Sequence, residues 1–355
     1  MKNLQSELKR LGENRAALII SPENRRYFTS FPSSDGFLIV SADKAVFITD
    51  GRYIEAAEKS AKNCEVVLQK RIFPQIAEIL SDMKCGHLLV EASRMTLDFY
   101  NSLKGSAKNI AIHTDTCLDS MINTLRSVKT EKELECIKAA QKITDDAFTH
   151  ICGFIKEGVT EREIGLELDF YMLSHGGEAL SFETIAVSGQ NTSMPHGVPS
   201  DKKVCKGDFI TMDFGTVVGG YHSDMTRTVA LGFATDEMKR VYETVKKAQS
   251  ACINGLRAGL TGIEGDALAR NVIENEGFGE YFTHSTGHGV GIEIHEFPNL
   301  NKGNDIPLVT GQIVTVEPGI YIPNKFGVRI EDMVYITENG CEDLTHSEKE
   351  LIILP

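Results

Sequence analysis

Four acidic residues and a group of histidines are the side chains whose types and spacing could do chemistry in this chain. Asp213 and Asp224 lie in MDFGTVVGGYHSDMTRT (212–228), on either side of Gly219-Gly220. Glu317 lies in VEPG (316–319) and Glu331 in VRIED (328–332). Between them comes THSTGHGVG (283–291), which holds His284 and His288, with His295 just beyond. His196 lies upstream in Met194-Pro195-His196-Gly197. Carboxylates gathered on one face repel unless a cation lies between them. Four carboxylates and an imidazole make a hard, oxygen-rich donor set, which suits Mn2+, Co2+, Zn2+ or Mg2+ better than thiolate-seeking ions. Four negative charges balance two divalent ions. Two metals about 3.5–4 Å apart can share a water, lower its pKa and clamp an oxygen. That is hydrolytic chemistry, with reach from polarised carbonyls to phosphoesters.

Strand pairs must bring these residues together. Gly-Gly between β-rich runs signals a hairpin, because a primed turn needs positive φ at its centre. With the two glycines as the loop, Asp224 faces Gly215, and Asp213 lies two positions along. Side chains alternate with period two, so both aspartates share a face. Taken alone, this stretch reads equally as two solvent-facing aspartates on a polar hairpin. An internal repeat separates the two readings. GDFITMDFG (207–215) parallels GQIVTVEPG (311–319), and KEGVT (156–160) parallels RAGLT (257–261), at offsets of about 101–104 residues. Asp213 then aligns with Glu317, and Glu331 is the counterpart expected for Asp224. The second hairpin is expected over Ile313–Ile322 and Val328–Ile336, with Pro323–Gly327 as its loop and Glu331 facing Gly319. Pro318 cannot donate to a ladder, so a bulge or an edge is expected there. Each half thus offers one pair of inward carboxylates across a pseudo-two-fold. His288, between glycines that permit close approach, is the natural fifth ligand. His295 and His196 gather around it, and His222 beside the turn is read as no ligand.

The rest of the chain frames this site. Its 355 residues exceed one compact core of usual size, so two domains are expected, divided at 122/123. Residues 1–122 alternate short strands (Ala16–Ile20, Gly36–Val40, Ala45–Thr49, Cys64–Leu68, His87–Val90) with helices (Tyr53–Lys62, Ile72–Met83, from Thr96). This reads as a small α/β domain. Thr49-Asp50-Gly51-Arg52-Tyr53 reads as a strand end, turn and cap, and His87 and His113 as structural. The segment near 115–130 reads as a junction. Residues 123–355 open with capped helices at Leu134–Lys156 and after Thr160, and continue with helices at Glu237–Leu256 and Gly265–Glu276. The whole is α+β. A formal net charge of −13 argues against nucleic-acid binding. No apolar run reaches membrane-spanning length, and the first residues lack a signal-peptide core. Eight scattered cysteines without a Cys-x-x-Cys pair fit a reduced cytoplasm.

The words MDFG, SDMTRT, STGHGVG, VEPG and VRIED, with Asp213, Asp224, His288, Glu317 and Glu331, resemble the dinuclear pita-bread metallopeptidases. That family includes methionine aminopeptidase, aminopeptidase P and prolidase, and the resemblance covers about residues 125–355. Asn24–Thr29 and Thr49–Tyr53 are similar to the creatinase-type N-terminal domain of the aminopeptidase P and prolidase branch. The resemblance implies a pita-bread fold with an internal pseudo-two-fold repeat, preceded by a smaller α/β domain. It implies that Asp213 binds one metal through both oxygens, that Asp224 and Glu331 bridge two metals, and that His288 and Glu317 complete the other site. It makes Glu317 the general base and Arg329 a support of the carboxylates. His196, His284 and His295 would steady the substrate carbonyl and the tetrahedral intermediate. Two divalent ions, Mn2+ before Co2+ or Zn2+, with a bridging hydroxide, would cleave the bond between a peptide's first residue and proline. A homodimer is also implied. Many prolidases carry an arginine shortly after the histidine, where Asn299 stands here, so an Xaa-Pro aminopeptidase is expected before an Xaa-Pro dipeptidase. A non-catalytic binding module is the remote alternative. The full ligand set speaks against it, and against a metal-free creatinase.

Overall fold

A computed structural model describes residues 1–12 and 14–355. The chain divides into two compact units, Met1–Arg126 and Ser127–Pro355. The segment expected as the junction holds an 11-residue helix, Cys117–Ser127, and both the expected boundary at 122/123 and the end of the first unit fall within it. Leu118 and Ile122 on it are fully buried in the first unit's core.

The first unit is one six-stranded sheet with helices. Its strands are β1 (Arg15–Ile19), β2 (Phe37–Ser41), β3 (Ala45–Thr49), β4 (Glu65–Leu68), β5 (His87–Val90) and β6 (Ala111–His113). They lie in the order β4-β3-β2-β1-β5-β6. The expected strands are all present to within two residues. The sequence reading missed helix Pro22–Thr29, and it put His113 at a strand-like position without setting out β6 as a strand. The helix hides behind a polar run, yet Asn24, Arg25 and Thr29 are buried in it. His87 and His113 sit on neighbouring parallel strands with ring nitrogens 3.0 Å apart, which suits a structural pair.

The second unit is built twice from the same parts. Each half begins with two helices: Glu131–Phe154 and Glu161–Ser174, then Asp236–Gly255 and Gly262–Asn275. The second helix of each pair starts on a capping box, Thr160 with Glu163 and Thr261 with Glu264. The Thr261 box starts the last helix three residues before the expected Gly265. Each half then contributes strands. The first supplies β7 (Ala179–Leu180), β8 (Ile185–Ser188), β9 (Phe209–Phe214), β10 (Thr216–Val218), β11 (Tyr221–His222) and β12 (Met225–Leu231). The second supplies β13 (Gly287–Gly289), β14 (Glu296–Leu300), β15 (Ile313–Val316), β16 (Gly319–Ile322), β17 (Phe326–Arg329) and β18 (Asp332–Ile336), with β19 (Cys341–Asp343) and β20 (Ile353–Leu354) closing the chain.

The first hairpin has the expected register. Val218 pairs with Tyr221 across Gly219-Gly220, and Phe214 pairs with Met225, so Asp224 falls opposite Gly215. Gly219 and Gly220 both have positive φ, 60° and 86°. The second hairpin differs. Ile322 pairs with Phe326, so the loop is the three residues 323–325, and Gly319 pairs with Arg329 rather than Glu331. Phe326 and Gly327, read as loop, are strand residues that bury the Phe326 ring against Phe209. The slip is two residues. Period-two alternation therefore keeps Glu331 on the expected face, now directly across from Glu317. Two apolar clusters hold the frame, one around Val241, Val245 and Ile336, the other around Ile151, Leu168 and Met212. Among the described residues no helix is long and apolar enough to cross a membrane.

Candidate metal centre

Every acidic site residue sits at or beside a break in a β ladder. Asp213 is the penultimate residue of β9, and Asp224 lies between β11 and β12. Glu317 lies between β15 and β16, where Pro318 has no N–H to give. The breaks free backbone groups to bond outside the ladder, one within the second half and one across to the first. The Glu317 N–H donates to Thr286 O at 2.8 Å, and the Glu331 N–H to Thr226 O at 3.1 Å. His288 is the centre of β13, between β14 and β15. A Cβ on Gly287 would lie 1.9 Å from Thr315 O, so only glycine lets His288 come this close to the carboxylate strand.

The geometry converges on one point. His288 Nε2 is 3.5 Å from Asp224 Oδ2 and 3.5 Å from Glu317 Oε1. Its Nδ1 bonds Gly289 O at 3.0 Å, which fixes the proton there and leaves the Nε2 lone pair facing the carboxylates. Asp224, His288 and Glu331 each offer an atom within 4.8 Å of the others, and could hold a metal ion. Thr226 Oγ1 donates to Glu331 Oε2 at 2.6 Å, and Thr315 Oγ1 to Glu317 Oε1 at 3.2 Å. Asp213 Oδ2 accepts from Arg329 Nη2 at 2.7 Å, while its buried Oδ1 has no hydrogen-bond partner.

Burial and crowding set the charges. One guanidinium, Arg329, faces four carboxylates. Burial, then repulsion from Asp213 and Glu317, holds Asp224 well above the usual carboxylate range. Burial, then Asp224, Glu317 and Asp213, does the same to Glu331. Burial raises Asp213 even against Arg329. Glu317 is pushed up to about 8 by burial, with Asp213 adding to it. Burial, then His295, lowers His288 to about 4, so its imidazole is neutral. A cluster like this retains protons unless cations replace them. An unbonded buried carboxylate oxygen, raised carboxylates and a neutral imidazole with its lone pair inward all fit divalent cations.

A cavity of about 590 Å³ opens onto the cluster. His196 and His295 line it and are exposed to it, and the His295 ring lies 4.4 Å from that of His288. His222 is not among its lining residues; its N–H bonds Gly291 O and ties the first hairpin to the glycine loop. Arg329 is the hub of the wall. It donates to Thr226 Oγ1 at 2.9 Å, Tyr321 OH at 2.8 Å, Pro195 O at 3.3 Å and Asp213. His284 Nδ1 bonds Ser285 O at 2.8 Å, and His284 Nε2 bonds Tyr321 OH at 2.9 Å. The Tyr321 oxygen already accepts from Arg329, so its proton goes to His284 Nε2. His284, lowered to about 4 by burial and then Arg329, therefore has no N–H left for the cavity. Sequence reasoning missed Tyr321 and Thr226. Alternation carried the signal for both: Tyr321 shares a face with Glu317, and Thr226 shares one with Asp224.

A carboxylate and imidazole cage on a duplicated hairpin frame defines a metallohydrolase. Comparison with known proteins gives the family. The model of metallopeptidase family M24 matches residues 135–338, and that of the creatinase/prolidase N-terminal domain matches residues 1–128. A solved Xaa-Pro dipeptidase from Bacillus anthracis is 42% identical, with a TM-score of 0.94, covering 99% of this chain and 98% of that one. A solved X-Pro aminopeptidase from Thermotoga maritima is 35% identical, with a TM-score of 0.91, covering 98% and 99%. The Xaa-Pro dipeptidase of Pyrococcus furiosus is 37% identical over 99% of each chain. This chain belongs to metallopeptidase family M24, and it has the creatinase-type N-terminal domain and the pita-bread fold expected from its sequence. It is a metallopeptidase.

Proposed function

We propose that this enzyme is an Xaa-Pro exopeptidase of the aminopeptidase P type, which removes the first residue of a peptide whose second residue is proline. One observation carries the choice over a strict dipeptidase. The only arginine or lysine among the described residues lining the cavity is Arg329, and each of its three nitrogens is bonded within the wall. A dipeptide places a free carboxylate next to the bond to be cut, and a site dedicated to it needs a cation there. Asn299 lines the cavity instead. A longer peptide carries an uncharged amide at that point. The names of the relatives support the Xaa-Pro bond for either reading. The solved dipeptidase from Bacillus anthracis favours the dipeptide as second reading.

Asp213, Asp224, His288, Glu317 and Glu331 would hold two divalent cations, with Mn2+ proposed from the hard donor set. When bound, the cations supply a Lewis acid and a water that is nucleophilic at neutral pH. The chain's own residues do the rest. Glu317 takes the proton of the attacking water and returns it to the proline nitrogen. That nitrogen carries no hydrogen in the peptide and leaves as a neutral amine only once protonated. His196 and His295 present ring N–H groups to the carbonyl oxygen as it gains charge. His284 has no donor free for this, and holds Tyr321 and Arg329 in place instead. Arg329 fixes Asp213 through Oδ2. We place the enzyme in the cytoplasm as a homodimer, from its free cysteines and its family. The deciding experiment compares Xaa-Pro with Xaa-Pro-Yaa peptides. Faster cleavage of the tripeptides supports the proposal; cleavage of dipeptides alone overturns it in favour of the second reading.

A further inference from the structure

Among the buried carboxylates outside the metal centre are two, one in each half of the repeat, that each clamp a segment carrying a site histidine. Glu161, the first residue of helix Glu161–Ser174, is fully buried. Its carboxylate accepts from five donor atoms: Ser188 N at 2.7 Å, Ser188 Oγ at 2.9 Å, Asn191 Nδ2 at 2.9 Å, Ser200 N at 3.1 Å and Ser200 Oγ at 2.6 Å. Both ends of the loop 188–200 are therefore tied to one side chain, and Pro195-His196-Gly197 is the middle of that loop. Burying a carboxylate is costly unless donors replace its water. Five donors are more than a loop anchor on the surface would need.

Asp266 does the corresponding work in the second half. It is 2% exposed and pairs with Arg270 through 2.6 Å and 2.9 Å contacts. Asp266 Oδ1 also accepts from Thr286 N at 3.0 Å and Thr286 Oγ1 at 2.8 Å. Arg270 donates to His284 O at 2.7 Å and Phe282 O at 3.1 Å. The segment 282–286 is held on both sides of His284, and Thr286 O in turn receives the Glu317 N–H.

The two clamps exchange places in the repeat. Glu161 follows the cap Thr160, and Gly262 follows the cap Thr261. Four residues later the identities are reversed, with Gly165 and Asp266. Gly262 has no room for a side chain, since a Cβ there would lie 2.2 Å from Asn299 O. The second half therefore carries its carboxylate one helical turn further along. The same task is met at two non-equivalent positions, each facing its own histidine segment.

We propose that Glu161 is a positioning residue for His196, and that Asp266 with Arg270 positions His284. This rests on the reading of both histidines as parts of the peptidase site. The test uses the full-length enzyme loaded with Zn2+, whose closed d shell leaves nearby histidine signals visible, with 15N-histidine label, and compares Glu161→Gln with Asp266→Asn. Ring 15N and 1H shifts, bound metal, kcat and KM are read for each. Glu161→Gln is expected to move the His196 ring signals and leave those of His284 in place, and Asp266→Asn to do the reverse. Each variant is expected to lower kcat by about tenfold to a hundredfold, Glu161→Gln by misplacing His196 and Asp266→Asn by loosening the hold of His284 on Tyr321 and Arg329, with KM and bound metal little changed. Where either variant does not fold, Ser200→Ala and Thr286→Val each remove one hydroxyl donor from the same clamps, and the same crossed pattern is expected in reduced size. Unmoved ring signals, or both histidines moving with either variant, overturn the proposal. The ring shifts do not depend on the substrate. A wild-type enzyme inert towards Xaa-Pro peptides would overturn the functional reading alone.

Discussion

By strand register Arg329 stands in the second hairpin where Asp224 stands in the first, a place the sequence reading assigns to Glu331. Arg329 is paired with Gly319. Asp224 falls opposite Gly215 in the matching register. The pseudo-two-fold thus relates an anion to a cation, and the cation reaches back 2.7 Å to Asp213. A strictly symmetric cage would hold a further acid here. The exchange places one fixed positive charge among four carboxylates and gives Asp213 a partner.

Removing that charge should be severe. Arg329 is 4% exposed and Asp213 is left unpaired without it. Arg329→Ala is expected to destabilise the metal-free protein by about 3–5 kcal/mol, the usual cost of breaking a buried pair. Arg329→Lys should recover only part of this, because an ammonium cannot reach Thr226, Tyr321, Pro195 and Asp213 together. Denaturant unfolding checks both; a change below about 1 kcal/mol for Arg329→Ala would contradict the hub role, as surface changes are usually of that size or smaller.

Glu317→Gln should separate stability from activity. It removes the proposed proton carrier, and kcat is expected to fall about 10²–10⁴-fold. It also removes one of four repelling carboxylates, so the metal-free protein should be no less stable than wild type. Thermal melts after chelation, beside steady-state kinetics, test the pair. Loss of stability with retained kcat would sink this account of Glu317.

The pH dependence of the metal-free protein follows from the same crowding. Glu317 is pushed up to about 8 when folded, against about 4.3 in an unfolded chain. Between these values the folded form binds a proton that the unfolded form lacks, so stability falls as pH rises. The chelated protein should therefore melt at lower temperature at pH 8.5 than at pH 5.5, and the metal-loaded protein should not follow this trend. Metal uptake near pH 7 should release protons, measurable as a heat that depends on the buffer. A chelated protein that grows more stable with rising pH through this window would contradict the charge assignment.

Asn299 offers a test of substrate choice. It is exposed and lines the cavity. Asn299→Arg is expected to raise kcat/KM for Xaa-Pro dipeptides relative to Xaa-Pro-Yaa by about tenfold, the worth of one charge-assisted hydrogen bond. An unchanged ratio would show that the dipeptide carboxylate does not lie at this wall.

Much of the site was legible in the sequence because alternation and repetition survive small errors. The second hairpin loop was misplaced by two residues, yet Glu331 stayed on the right face because the side-chain period is also two. An error of one would have hidden it. The donors that tune the site were not legible. Tyr321 and Thr226 are ordinary strand residues by type; Tyr321 meets Arg329 diagonally across their own hairpin, and only the docking of the two hairpins brings Thr226 to it. The junction helix Cys117–Ser127 was missed because its polar residues mask Leu118 and Ile122.

The most direct test is a metal titration of the chelated, dialysed enzyme with an Xaa-Pro-Yaa substrate. Activity should be absent without metal, rise with added Mn2+, and level off at two equivalents per chain. Full activity in the chelated protein, or a plateau reached with no metal bound, would contradict the two-cation cage of Asp213, Asp224, His288, Glu317 and Glu331.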